Sequence, residues 1–416
     1  MNPKNQSSGP SFLHGQAYWV RIKHLLTWLK EIPSKLLNGI RKIRYADLVI
    51  IVIGICLAIL LRYSLLTFKS GDYSCCIKDW YEIIRMGGIS VFRYGFSNYP
   101  PLYLYCLYVV SKILPHLSTV YAVRLPPIVA DFVCALFVFN IVRLKFNRGP
   151  IPLFSFFAVL FAPTVVLNSS LWGQTDSLHS AALVASIYFL LTRRNWLACL
   201  AYGLAFAFKL QAIFLAPFFL ALFLKQKVSW QQLLLIPIVY LVTIYPAWMV
   251  GRPLSELLTI YAEQTSMFEF LTLNAPTMYA WLPERLFHLF STAGIFFAAC
   301  IAFMYVIVIY KSRTPITGPL MVQFATISVI LIPFVLPRMH ERYFFAADVI
   351  SLAFAFYFPR YFYIPIVINL VSFFSYQQFL FGVKPIPDSI LAIALLTVII
   401  ILVRHLMMTL FQKIYP

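Results

Sequence analysis

A chain of 416 residues that is 61% hydrophobic and only 11% charged, with a mean hydropathy of +0.83, cannot be a soluble globular protein. Apolar runs of about 20 residues recur along it and predict an all-α, polytopic membrane protein. The net charge of +19 would suggest nucleic acid in a soluble chain. Here Lys- and Arg-rich cytoplasmic loops and anionic headgroups account for it, and no nucleic-acid partner is expected.

In chain order, residues 1–46 read as a cytoplasmic tail. Residues 16–44 alternate Trp19, Leu25, Leu26, Trp28 and Ile32 with Arg21, Lys23, His24 and Lys30, a basic amphipathic helix suited to a membrane surface. The first span, about 47–68, starts too far in for a signal peptide and stays as an anchor. An external loop, 69–120, follows. Its stretch KSGDYSCCIKDWYEIIRMGG carries Asp72, Asp79 and Glu82, and seven residues between the two aspartates put both on one face of a helix. Gly87 and Gly88 end that helix, and Tyr99-Pro100-Pro101 starts the next. Residues 101–115 make only about 22 Å of helix, short of the roughly 30 Å hydrocarbon core, so they are placed in the outer interface.

Spans at about 121–143, 151–169 and 177–192 come next, with Asp131 buried in the first of them as a structural hydrogen-bonding group. Residues 196–224 are too long for one crossing, and both flanks are basic. A hairpin of two short helices turning at Phe208-Lys209-Leu210-Gln211 satisfies both facts and lifts Lys209 and Gln211 to the outer face. A span at 232–250 leads to a second external segment, 251–285. Spans near 286–310, 318–336, 344–358, 361–380 and 388–408 complete twelve, with both termini cytoplasmic. Ten of the fourteen acids then lie outside, although acids did not enter the assignment. Seven cysteines form no framework: Cys75 and Cys76 are adjacent and could bridge only with strain, and the rest sit in apolar runs.

Four blocks carry a likeness. GDYSCCIKDWYEIIRMGG with FSNYPPLYLY, SSLWGQTDS at 169–177, AFKLQAIFLAP at 207–217 and LPRMHERYFF at 336–345 resemble, in this order, the GT-C-type glycosyltransferases, and among them the bacterial relatives of the mannosyltransferases that build GPI anchors. The likeness runs over about 47–410, read as one catalytic membrane domain. It implies a GT-C fold and an inverting transfer of a sugar, mannose-like hexose first, from a polyprenyl-phosphate carrier to a lipid-linked or extracytoplasmic glycan acceptor. The site would face outward from a bacterial cytoplasmic membrane. The competing reading is a transporter or flippase of lipid-linked sugars, which would place polar groups at mid-membrane in repeated halves; no repeat is visible.

Such a transfer needs a base for the acceptor hydroxyl, cations for the leaving phosphate and an apolar groove. The resemblance implies Asp72 as base, with Asp79 and Asp176 as secondary acids; Asp176 could equally cap the helix it begins. Arg338, His340 and Arg342 share a side in an extended turn and suit a phosphate, as does Lys209, a lone lysine between apolar half-helices that could otherwise snorkel. Tyr99, Gln174, Gln211 and Asn274 are candidate substrate contacts. Asp72, Asp79 and Asp176 could together hold a divalent cation, but a monophosphate leaving group favours no metal. No glycine-rich nucleotide loop is present, which agrees with a lipid donor.

Overall fold

The computed structural model describes residues 45–411. The amphipathic tail helix expected within 16–44 lies outside them. Helix α1, Tyr45–Leu65, is the first span. From Ala58 onward the chain forms one compact unit. A wide π-type turn, Tyr73–Ile77, runs directly into α2, Lys78–Gly87, which stops where Gly88 takes φ +65°. The sulfurs of Cys75 and Cys76, which the sequence reading leaves unbridged, are paired in this turn. Helix α3, Pro101–Ile113, opens with proline at its first position, where no N–H is needed. Its Tyr103, Leu104 and Leu107 are buried with Tyr81 and Ile84 of α2 and with Tyr240, Ile244 and Leu257 further along the chain. The helices of residues 69–120 therefore pack on protein rather than float.

Next come α4, Leu125–Lys145, and α5, Ile151–Leu160, which bends by 46° into the helical stretch Pro163–Trp172. Ala162-Pro163 forces the bend, because proline removes a backbone donor and clashes with the preceding turn. Helix α6, Asp176–Leu191, and α7, Asn195–Phe208, are short. Lys209 breaks α7 with an extended backbone (φ −158°, ψ 140°), and a 3₁₀ turn over Leu210–Leu215 leads into α8, Ala216–Leu224. The segment turns back on itself: the Asn195 amide donates to Lys227 O at 2.6 Å, so its two ends meet.

Helices α9, Leu235–Met249, and α10, Leu254–Ser266, precede a two-residue strand β1, Thr272–Leu273. Helices α11, Phe287–Lys311, and α12, Gly318–Val335, follow, then β2, Met339–His340, which pairs in parallel with β1 in the register Thr272 to Met339 and Leu273 to His340. This ladder ties the 251–285 segment to the PRMHERY block. Helices α13, Phe345–Tyr357, α14, Tyr363–Phe381, and α15, Asp388–Phe411, end the described chain.

The fold is all-helical apart from that ladder, and the chain is an integral, multi-pass membrane protein. The count of twelve spans expected, two of them short halves of a hairpin, is not confirmed by helix length alone. Seven helices among the described residues are long and apolar enough to span, eight if the bent pair counts as one. Pro101–Ile113, Asp176–Leu191, Asn195–Phe208 and Leu210–Leu224 are apolar but shorter. Short helices are tolerated at membrane depth where their ends are buried in protein or line a cavity. The first turns of α6 and the break at Lys209 do so here: Asp176, Ser177, His179, Lys209 and Gln211 are all buried.

Asp131 of α4 is buried as expected, with a partner the sequence did not disclose. Arg62 near the end of α1 reaches its Oδ2 from Nε (3.1 Å) and Nη2 (2.9 Å), and Ser169 Oγ donates to the same oxygen at 2.6 Å. A buried charge leaves water only with such pairing.

Candidate active site

Asp72 closes the end of the first span onto the Trp172-Gly173-Gln174 turn. Trp172 Nε1 donates to Asp72 Oδ2 at 2.8 Å, and Gln174 Nε2 donates to the same oxygen. Both donors are neutral, and no ion pair occupies the carboxylate among the described residues. Gly173 permits the turn with φ +79°, a conformation a side chain would strain. Tyr99 OH donates to Gln174 Oε1 at 3.4 Å, so the glutamine bridges Asp72 and the start of α3. Gln174 is thus occupied at both ends and sits behind Asp72.

Asp176, the first residue of α6, is completely buried and held from three sides. Lys209 Nζ lies 2.5 Å from Oδ1, Asn168 Nδ2 donates to Oδ2 at 2.9 Å, and Arg342 Nε lies 4.0 Å from Oδ2. No helix-capping hydrogen bond runs from the Thr175 side chain ahead of it. Lys209 is therefore neither a snorkelling lysine nor a free cation. It is Asp176's partner, with its ammonium 5.8 Å from the centre of the Tyr99 ring and 6.0 Å from that of Tyr343.

A cavity of about 340 Å³ opens beside this cluster. Tyr99, Lys209, Gln211, Arg338, His340 and Arg342 line it, together with apolar surface from Ile213, Phe214, Met267, Phe268 and Ile295. Gln211 Oε1 is buried without a hydrogen-bond partner among the described residues. Asp72 stands next to the cavity through Gln174 and Tyr99 but is not part of its wall.

The three basic residues of the PRMHERY block differ in kind. Arg338, whose backbone is left-handed at φ +62°, donates from Nε and Nη2 to Ser291 Oγ (2.9 and 2.6 Å) and from Nη1 to Thr265 O (2.6 Å). It has no carboxylate partner among the described residues. Arg342 stacks over Trp172 with its guanidinium carbon 5.6 Å from the ring centre, and Nη1 lies 3.3 Å from Glu341 Oε1. Burial disfavours its charge, but the Asp72 carboxylate, with Tyr99 and Glu341, more than compensates and raises its pKa above the ordinary arginine value. His340 is not the third cation expected. Burial, with Arg342 and Lys209 beside it, pushes its imidazole down to about 2, so it enters the site neutral, as a hydrogen-bonding ring between Phe268 and Tyr343.

Glu341, which the sequence offers as a group that holds an arginine in position or neutralises it, is 2% exposed. Burial pushes its carboxyl up to about 7, against the pull of Arg342 and with the negative fields of Asp72 and Asp176. The signal was there, an acid between two basic residues, but its depth was not legible.

Two candidates do not line the cavity. Asp79 is exposed on α2. Asn274, itself left-handed at φ +52°, turns its Oδ1 to Lys384 Nζ at 3.1 Å and is not in the cavity wall. Asp72, Asp79 and Asp176 do not gather, and no group of three His, Cys, Asp or Glu side chains suited to a metal occurs among the described residues.

Two comparisons bear on this arrangement. In fold, the chain is similar to ArnT from Cupriavidus metallidurans, whose structure is bound to undecaprenyl phosphate: the TM-score is 0.54 at 15% identity, over 86% of this chain and 72% of that one. In sequence, residues 73–225 match a model described as alpha-(1->6)-mannopyranosyltransferase, N-terminal domain. By fold the chain is thus similar to a membrane protein of GT-C architecture, and by sequence residues 73–225 carry the family likeness. The particular likeness is to the alpha-(1->6)-mannopyranosyltransferases, over the segment holding Tyr99, Gln174, Asp176, Lys209 and Gln211. Compared by sequence with curated proteins, the chain matches none.

Proposed function

We propose that this protein transfers a hexose, mannose first among candidates, from a polyprenyl-phosphate carrier to an extracytoplasmic or lipid-linked hydroxyl, with Asp72 as general base. The observation that carries the reading is the contrast between the acids. Asp176 is consumed by Lys209 and Asn168, whereas among the described residues Asp72 accepts from two neutral donors on one oxygen and the other carries no hydrogen bond. A base needs a lone pair directed at the substrate and neighbours that fix its position without neutralising it.

The phosphate belongs in the cavity. Arg342, aligned by Glu341 and the Trp172 face, and Arg338, a half-buried guanidinium without a counter-ion among the described residues, supply the positive field for a leaving phosphate. The Ile213, Phe214, Phe268 and Ile295 surface suits the first isoprene units. An orphan Gln211 oxygen cannot be satisfied by a phosphate, which offers only acceptors, so it supports a sugar hydroxyl on that wall. With one base and no second free carboxylate against the first, direct displacement with inversion is the chemistry supported. Orientation of the site outward from a bacterial cytoplasmic membrane, with cytoplasmic termini, belongs to the same proposal.

The test uses purified protein, radiolabelled polyprenyl-phosphate mannose, and membranes of the producing cell as acceptor. Asp72→Asn keeps shape and is expected to lose about 10²–10⁴-fold in turnover, with undecaprenyl-phosphate binding retained. Near-normal turnover of Asp72→Asn removes the base assignment.

A further inference from the structure

Arg124 lies outside every motif, yet it is fully buried and makes more contacts to the backbone of the site than any residue of the motifs. It precedes α4. Its Nε donates to Ser170 O at 2.8 Å, and its Nη2 donates both to Leu171 O at 3.1 Å and to Phe68 O. Its Nη1 donates to Val120 O at 2.8 Å. The guanidinium carbon lies 5.3 Å from the centre of the Tyr73 ring, and the side chain packs against Gly173. No carboxylate pairs with it among the described residues. Among the described residues its hydrogen bonds all go to backbone carbonyls.

Those carbonyls are not scattered. Phe68 is four residues before Asp72 and Tyr73 is the residue after it; Ser170 and Leu171 directly precede Trp172, one of the two donors to Asp72. Ser70 repeats the link at one hydroxyl, donating to Trp172 O at 2.8 Å and accepting from Tyr73 N at 3.2 Å.

We infer that Arg124 is a positioning residue for transfer: its guanidinium clamps the strand of chain that carries Asp72 to the turn that carries Trp172 and Gln174, and so sets the direction of the free Asp72 oxygen. A planar fork with five donors can reach three segments at once; an ammonium cannot reproduce that geometry. The cation does not touch substrate. Phosphate recognition, which rests on Arg342 and Arg338, should be left intact. This inference rests on Asp72 as the base, and it needs a test that separates the two.

Arg124→Lys and Arg124→Met are compared with wild type and Asp72→Asn, measuring undecaprenyl-phosphate binding and mannose transfer from polyprenyl-phosphate mannose to membranes. Turnover is divided by the number of lipid-binding molecules, so that a fall in folded protein alone does not register. The expected result is lipid affinity within about 3-fold of wild type, with turnover per binding-competent molecule down about 10-fold for Lys and more for Met, in kcat rather than KM, as a misplaced base predicts. Normal turnover per binding-competent molecule in either variant overturns the clamp, as does a loss of lipid affinity parallel to the loss of turnover. Should Met not fold, the Lys variant decides. If Asp72→Asn transfers normally, it is the base assignment that fails, whatever Arg124 does.

Discussion

Replacing Lys209 distinguishes a structural cation from a phosphate ligand. Its ammonium sits 2.5 Å from Asp176 Oδ1, and the side chains are 5% and 0% exposed. Lys209→Met would leave Asp176 with Asn168 at 2.9 Å and Arg342 Nε at 4.0 Å. Removing one partner of a buried pair typically costs about 3–5 kcal/mol, because the other charge stays buried. Arg342 can swing towards the orphan acid, so the lower end of that range is expected. Adding Asp176→Asn should recover much of the stability, since the uncompensated charge disappears. Unfolding of detergent-solubilised protein measures this, and undecaprenyl-phosphate binding measures the alternative. Lys209→Met with unchanged stability but lost lipid affinity would refute the argument and make Lys209 a direct phosphate ligand.

Arg342→Lys should lose both the stacking over Trp172 and the bidentate match to phosphate, weakening lipid-phosphate binding by about 1.5–3 kcal/mol in an isothermal titration; an unchanged affinity would move the phosphate elsewhere. Asp79→Asn should keep turnover within about 2-fold, since surface changes away from special contacts are usually small, and a large loss would bring α2 into the site. Glu341 titrates near neutrality because burial raises its pKa, from 4.5 to about 7. A raised folded-state pKa means stability that is full below about pH 4.5 and declines as pH rises through about 7. Glu341→Gln should flatten that slope in a series of unfolding midpoints, and a slope unchanged in the variant would show that another group titrates.

The all-helical membrane architecture was legible because hydropathy at span length is a strong signal, and the hairpin at Lys209 was legible because basic flanks forbade a single crossing. Contacts between distant segments were not. Asp131 could be read as buried but not as Arg62's partner, 69 residues away. Asp176 and Lys209, 33 residues apart, entered the reading as an acid and a phosphate ligand. Each is the obvious partner of the other only once α6 and the broken end of α7 are side by side. His340 was misjudged in charge because burial, not sequence neighbours, sets its protonation. Asn274 does not line the cavity, because its side chain accepts from Lys384 while only its backbone pairs with His340. Arg124 had no motif at all, since a side chain that binds backbone carbonyls requires no particular residues around it.

These failures share a cause with the site's design. Within a low-dielectric cluster, an ionised group is useful to a substrate only where the protein has not already neutralised it. Asp176 and Lys209 neutralise each other and serve as a wall. Glu341 shares a proton equilibrium with solvent near pH 7 and tempers Arg342 without cancelling it. What is left over is a carboxylate held by two uncharged donors on one side and, on the other, guanidinium groups over an apolar cavity. A residual base beside a residual cation is the charge pattern required when a proton leaves one reactant while negative charge develops on the phosphate of the other. A carrier would gain nothing from a base so placed, because translocation moves no proton between the sugar and its acceptor. The unspent acid set beside the unspent cations therefore favours the proposed transfer chemistry over passage.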